Sequence, residues 1–357
     1  MTGSALQLVG ICLAFLSSGV AALSQGMPLH TMPARDVERE LLVPVLIQSR
    51  GPFWFALDTG IAHSAIDRNV IGETDLKVVS GEGKHGSTAL IRLDVGGENF
   101  ETALDVLDIG VSEYQRGYDQ SLAGVLGMDF FSKFIVVLDY DAQLVTLEDP
   151  LADDSLERGK SIPLKLKNSL PYLDATIKLP DHGAVQRSFM LDTSTGDAIN
   201  DDAFAHLGQT KIGPDLGRAD YFLIGPYRFA GINGTSGPSK LGGELLHRFR
   251  VTVDVPHSRL FLEPSRHFSD AFLFDTSGLD LERSKDGLKI LRVFSGTPGE
   301  EARLASGDVI ISIDGEPTSA FSVPQVRLMF HEVGIHTLLV ESKGENKTVE
   351  LKLRTLL

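Results

Sequence analysis

Two aspartates in this chain stand in nearly the same surroundings. Asp58 follows Phe55-Ala56-Leu57 and precedes Thr59-Gly60; Asp192 follows Phe189-Met190-Leu191 and precedes Thr193-Ser194. An acid at the end of an apolar run is carried toward an interior where its charge is costly, and two such acids brought together cannot both ionise comfortably. One then stays protonated while the other is charged, so a water between them can lose a proton to one carboxylate while the other donates. The chemistry on offer is acid–base hydrolysis. The competing reading makes Asp58 a surface turn residue and Asp192 a capping acid, the usual lot of acids after strands.

The elements around the aspartates are themselves repeated. Gly127-Met128-Asp129-Phe130-Phe131, leading to Leu138-Asp139-Tyr140, has a partner about 115 residues later in Gly242-Gly243-Glu244-Leu245-Leu246, leading to Val251-Thr252-Val253-Asp254. Two β-rich copies therefore run from Val43 to Asp149 and from Ile162 to Pro264, joined by the polar stretch Asp153 to Lys160. Short β-branched or aromatic runs alternate with Gly-rich turns in both, which predicts a mainly β fold. Short helices are expected after Gly127 and Gly242, with Asp129 and Glu244 in their first turns.

At these residues the sequence resembles the retropepsin-like and pepsin-like aspartic proteases. Asp58-Thr59-Gly60 followed by Val125-Leu126-Gly127 matches that family's double signature, and the second copy carries a related pair. The resemblance implies two tandem retropepsin-like acid-protease lobes, 40–150 and 161–265, forming a bilobal pepsin-like unit. It implies Asp58 and Asp192 as the catalytic pair, and Thr59, Gly60, Thr193 and Ser194 as the loops that support them. It also implies divided titration of the pair and a preference for apolar side chains in a peptide or protein substrate. The second loop departs from the pattern, with Ser194 where the family has Gly. Serine keeps its N–H and can serve if the turn does not demand a positive φ. One chain with both aspartates favours a monomer; were Asp192 unable to serve, a homodimer of first lobes is the alternative. Gly83, Lys84, His85 and Gly86 lie where the family closes a flap, and an ordinary exposed loop is the other reading of so Gly-rich a run.

A third Asp-Thr-Ser-Gly, from Asp275 to Gly278, has no apolar-apolar-Gly partner and reads as a decoy. The C-terminal stretch 273–357 around and beyond it resembles a PDZ domain of the bacterial exported type. The features are the strand Leu288 to Val293, the Thr297-Pro298 turn, a short helix from Gly299 to Leu304, and Gly307-Asp308-Val309-Ile310 before Asp314-Gly315. A second helix is expected from Val323 to Val333. The resemblance implies capture of a peptide C-terminus by strand addition, with Ser277, Gly278 and Leu279 at the carboxylate loop. A domain that merely caps the second lobe is the other reading.

Composition and the remaining motifs narrow the field. Lys and Arg number 33 against 48 Asp and Glu, a formal charge of −15 that disfavours a phosphate-tracking nucleic-acid binder. Cys12, the only cysteine, lies in an apolar stretch read, with the small residues after it, as a signal peptide over 1–24. A periplasmic or secreted mature chain would then lack cysteine; an uncleaved segment would leave a membrane anchor. No His-Glu-x-x-His or Gly-x-Ser-x-Gly run occurs and no phosphate-cradling Gly-Lys-Ser/Thr loop follows a strand, so neither a metal nor a cofactor is expected. Two functions remain: an exported aspartic endopeptidase, or a peptide-binding protein of the same fold without hydrolysis.

Overall fold

The computed structural model describes residues 28–80, 86–109, 122–151, 158, 160–206, 216–272 and 275–356. Residues 1–24, expected to be a signal peptide, lie outside these, as do Gly83, Lys84 and His85.

The strands Arg50–Leu57 and Ala184–Leu191 show the duplication at atomic level. Each runs from three exposed residues through two half-buried ones to three buried ones, so the apolar end carries the following aspartate into the interior. Each sits in its own sheet between a preceding antiparallel partner and a short parallel one. In the first lobe these are Glu40–Ile47 and Gly124–Leu126. In the second they are Leu170–Lys178 and Lys240–Leu241. The parallel partner crosses beside the aspartate loop and turns at once into a four-residue helix, Met128–Phe131 or Gly243–Leu246.

A third sheet is shared between the lobes. Its order is Pro28–Pro33, Leu144–Glu148, Ile135–Asp139, Phe249–Asp254, Arg259–Pro264 and Ile162–Pro163. The two middle strands pair across the lobe boundary, Val136 with Val253 and Leu138 with Val251. Each lobe thus contributes one hairpin and its own leading strand in mirrored order, and one apolar cluster runs through both lobes. The first structural unit begins earlier than residue 40. Pro28–Pro33 is paired along Leu144–Glu148, with Met32 buried beneath it, so this stretch is part of the folded sheet.

The C-terminal region has a separate core and a six-stranded sheet, with Leu279–Ser284 at one edge beside the helix Val323–Met329. Ser322 and Gln325 cap that helix reciprocally. Both helices here are shorter than the sequence suggests, Pro298–Glu301 and Val323–Met329. The second ends at a Phe330 that turns inward to the core, ahead of Gly334 and the long hairpin Gly334–Ser342 and Glu345–Leu353.

Candidate active site

The two aspartate loops meet at the lobe boundary. The Thr59 hydroxyl donates to the Leu191 carbonyl at 2.6 Å, and the Thr193 hydroxyl donates to the Leu57 carbonyl at 2.6 Å. Each threonine amide donates to the other's hydroxyl oxygen, Thr59 N at 3.1 Å and Thr193 N at 3.2 Å. Both threonines are fully buried, so this reciprocal lattice excludes water and fixes the loops to one another.

The carboxylates lie side by side above it. A Cβ placed on Gly60 would stand 2.9 Å from Asp58 Oδ1 and 2.9 Å from Asp192 Oδ2. Asp58 and Asp192 are 1% and 3% exposed, a depth at which a carboxylate needs donors. The Gly60 amide donates to Asp58 Oδ1 at 2.6 Å, and the Ser194 amide donates to Asp192 Oδ1 at 3.1 Å. The amides of the aspartates themselves donate to the crossing strands, Asp58 to Leu126 O and Asp192 to Leu241 O.

Neither Gly60 nor Ser194 has a positive φ. Glycine at the first loop is required by space, since a side chain there would press on both carboxylates. Serine at the second meets the condition set by the sequence and adds a donor, its hydroxyl reaching Asp192 Oδ1 at 2.9 Å.

Supporting groups differ between the lobes. Asp129 Oδ1 accepts from the Ser64 amide and hydroxyl at 2.9 and 2.7 Å, and its Oδ2 accepts from the Thr102 hydroxyl at 2.8 Å. Ser64 Oγ in turn accepts from the Gly127 amide at 3.0 Å. In the second lobe Glu244 instead accepts from Arg39 and Arg248, which contacts its Oε1 at 3.0 Å.

Lys240 was not among the residues singled out from the sequence. Its ammonium donates to Asp192 Oδ2 at 2.8 Å. Burial works to lower its pKa, but the charges of Asp192 and Asp58 and the hydrogen bond to Asp192 prevail, and the net shift is upward. The signal was present: setting Gly242-Gly243-Glu244 on Gly127-Met128-Asp129 places Lys240-Leu241 on Val125-Leu126.

Of the flap candidates, only Gly86 is among the described residues. Gly86 opens the strand Gly86–Thr88, which runs antiparallel to Val78–Ser80. Asp275 to Leu279 lead into the edge strand of the C-terminal sheet. There the Ser277 amide donates to Asp275 Oδ1 and the Leu279 amide to Ser277 Oγ, while the Leu279 side chain joins the core. Two of the three amides assigned to a carboxylate loop are therefore already engaged within it. Among the described residues no group of three or more His, Cys, Asp or Glu side chains is arranged to hold a metal.

No family model and no curated protein matches the sequence. Among solved structures the chain is similar to an aspartic proteinase from Irpex lacteus, at 14% identity and a TM-score of 0.43, over 68% of this chain and 99% of that one.

Proposed function

We propose that the chain is an exported aspartic endopeptidase whose pair is Asp58 and Asp192. The reading is carried by the pair of buried carboxylates held by equivalent loops, flanking one point and locked by reciprocal threonine bonds. In the reaction, a water between the carboxylates gives a proton to the ionised aspartate as its oxygen attacks the scissile carbonyl. The protonated aspartate gives its proton to the carbonyl oxygen. The tetrahedral diol then collapses: one of its hydroxyls returns a proton to the aspartate that had donated, the C–N bond breaks, and the amine leaves with the proton taken from the water. The carboxylates end with one proton between them, as they began.

Export rests on the apolar segment within residues 1–24, and docking of a peptide C-terminus rests on the edge strand Leu279–Ser284 beside the helix Val323–Met329. Both aspartates come from one chain, which supports a monomer.

The test is hydrolysis of casein between pH 3 and 8, with pepstatin as inhibitor. Asp58→Asn and Asp192→Asn should each lower turnover by about 10²–10⁴-fold with little change in melting temperature. Loss in Asp58→Asn alone would instead favour a homodimer of first lobes. A second reading, a peptide-binding cleft without hydrolysis, is favoured by one observation: Ser194 and Lys240 together engage both oxygens of Asp192. Binding without cleavage by the wild-type chain would establish it.

A further inference from the structure

Lys240 breaks the symmetry of the site. Register pairs Lys240 with Met190 in the second lobe as Val125 pairs with Ala56 in the first, so a charged residue stands where the other lobe has a fully buried valine. The Lys240 side chain is about a third exposed and its partner Asp192 only 4%, so the ammonium keeps some water while neutralising a charge that has almost none.

We propose that Lys240 is a positioning residue that holds Asp192 as the ionised member of the pair and leaves the shared proton on Asp58. This rests on the endopeptidase reading for its catalytic consequence, but not for its electrostatics. Asp192 then takes the proton of the attacking water, and Asp58 donates to the carbonyl oxygen. A fixed positive charge 2.8 Å from Asp192 Oδ2 favours the arrangement in which that carboxylate carries the negative charge of the pair.

Other titratable groups on the flanking strands do not supply that charge. Tyr172 lies on Leu170–Lys178, with the Lys167 ammonium over its ring at 4.6 Å. Arg187 is committed to Asp201 at 2.5 Å, and Asp201 also accepts from Ser239. Asp197 accepts from Asn200 and Thr235, each at 2.6 Å.

The decisive measurement is the carboxyl-carbon NMR titration of Asp58 and Asp192 in wild type, Lys240→Met, Lys240→Arg and Lys167→Met, beside the pH profile of casein hydrolysis. Lys240→Met should raise both carboxyl steps, and with them both limbs of the profile, by about 1–3 pH units. Lys240→Arg should keep the steps near their wild-type positions, and Lys167→Met should leave them in place. Steps that stay put in a folded Lys240→Met would overturn the proposal, as would Asp58 titrating below Asp192 in the wild type. If no form cleaves casein yet the steps move as stated, the ionisation assignment stands and the hydrolytic reading falls.

Discussion

Gly60 and Ser194 occupy matching places after their aspartates, yet they tolerate opposite changes. An added Cβ at Gly60 would meet both carboxylates at 2.9 Å, Asp58 through Oδ1 and Asp192 through Oδ2. Gly60→Ala should therefore force the pair apart and cost on the order of 10²-fold in turnover, the usual effect of misplacing a reacting group by a fraction of an ångström to one ångström. Ser194→Gly needs no new space, and the amide that holds Asp192 Oδ1 remains. It should cost no more than about ten-fold, because a single hydroxyl donor is lost. Steady-state kinetics on the two variants, with melting curves to show that both fold, checks the contrast; equal losses would mean that the loops are interchangeable.

The supporting elements extend the same logic. Asp129 joins three segments distant in sequence: the turn at Ser64, the strand end at Thr102 and the helix Met128–Phe131. Removing it in Asp129→Ala takes this acceptor from the buried Ser64 and the half-buried Thr102, at about 1–3 kcal/mol. Turnover should fall along with the melting temperature, while the limbs of the pH profile stay where they are, since Asp129 orients the first loop without contacting the carboxylates. A shifted limb would show instead that its charge reaches the pair. The elements that carry the aspartates were legible in the sequence because each ends in a short apolar run and each is repeated. Lys240 was not, because a search for two apolar residues before glycine passes over a lysine, although Leu241 and Gly242 keep the rest of the pattern. The shared sheet was also illegible: the pairing of Val136 with Val253 joins residues far apart in the chain, and nothing local to either strand specifies its partner.

On the scale of the whole molecule, the C-terminal domain shares one cleft with both lobes. The hairpin turn Asp36 to Arg39, the second-lobe loop Thr195 to Ala198 and the helix Val323–Met329 line one cleft of about 670 Å³, spanned by the Arg327–Glu38 ion pair at 2.7 Å. Asp275 lies on its wall. Burial pushes the Asp275 carboxyl up to about 6 against the opposing pull of the Ser277 hydroxyl and amide and of Arg327, and its Oδ2 has no hydrogen-bond partner. Because the folded value is raised, the group imposes no penalty below about pH 4, where it is protonated in both states. As pH rises from about 4 to 6 the unfolded chain releases this proton and the folded one does not, so stability falls, and above about pH 6 the full cost is felt. Asp275→Asn keeps the shape and removes the charge. It should therefore raise the stability at pH 8 by roughly 2–3 kcal/mol, with the gain shrinking to nothing near pH 4. Melting temperatures of the two proteins across that range check the sign. An equal gain at both ends would assign the effect to packing, whereas a gain confined to neutral pH makes the seat of the C-terminal domain tighter under acid than under neutral conditions.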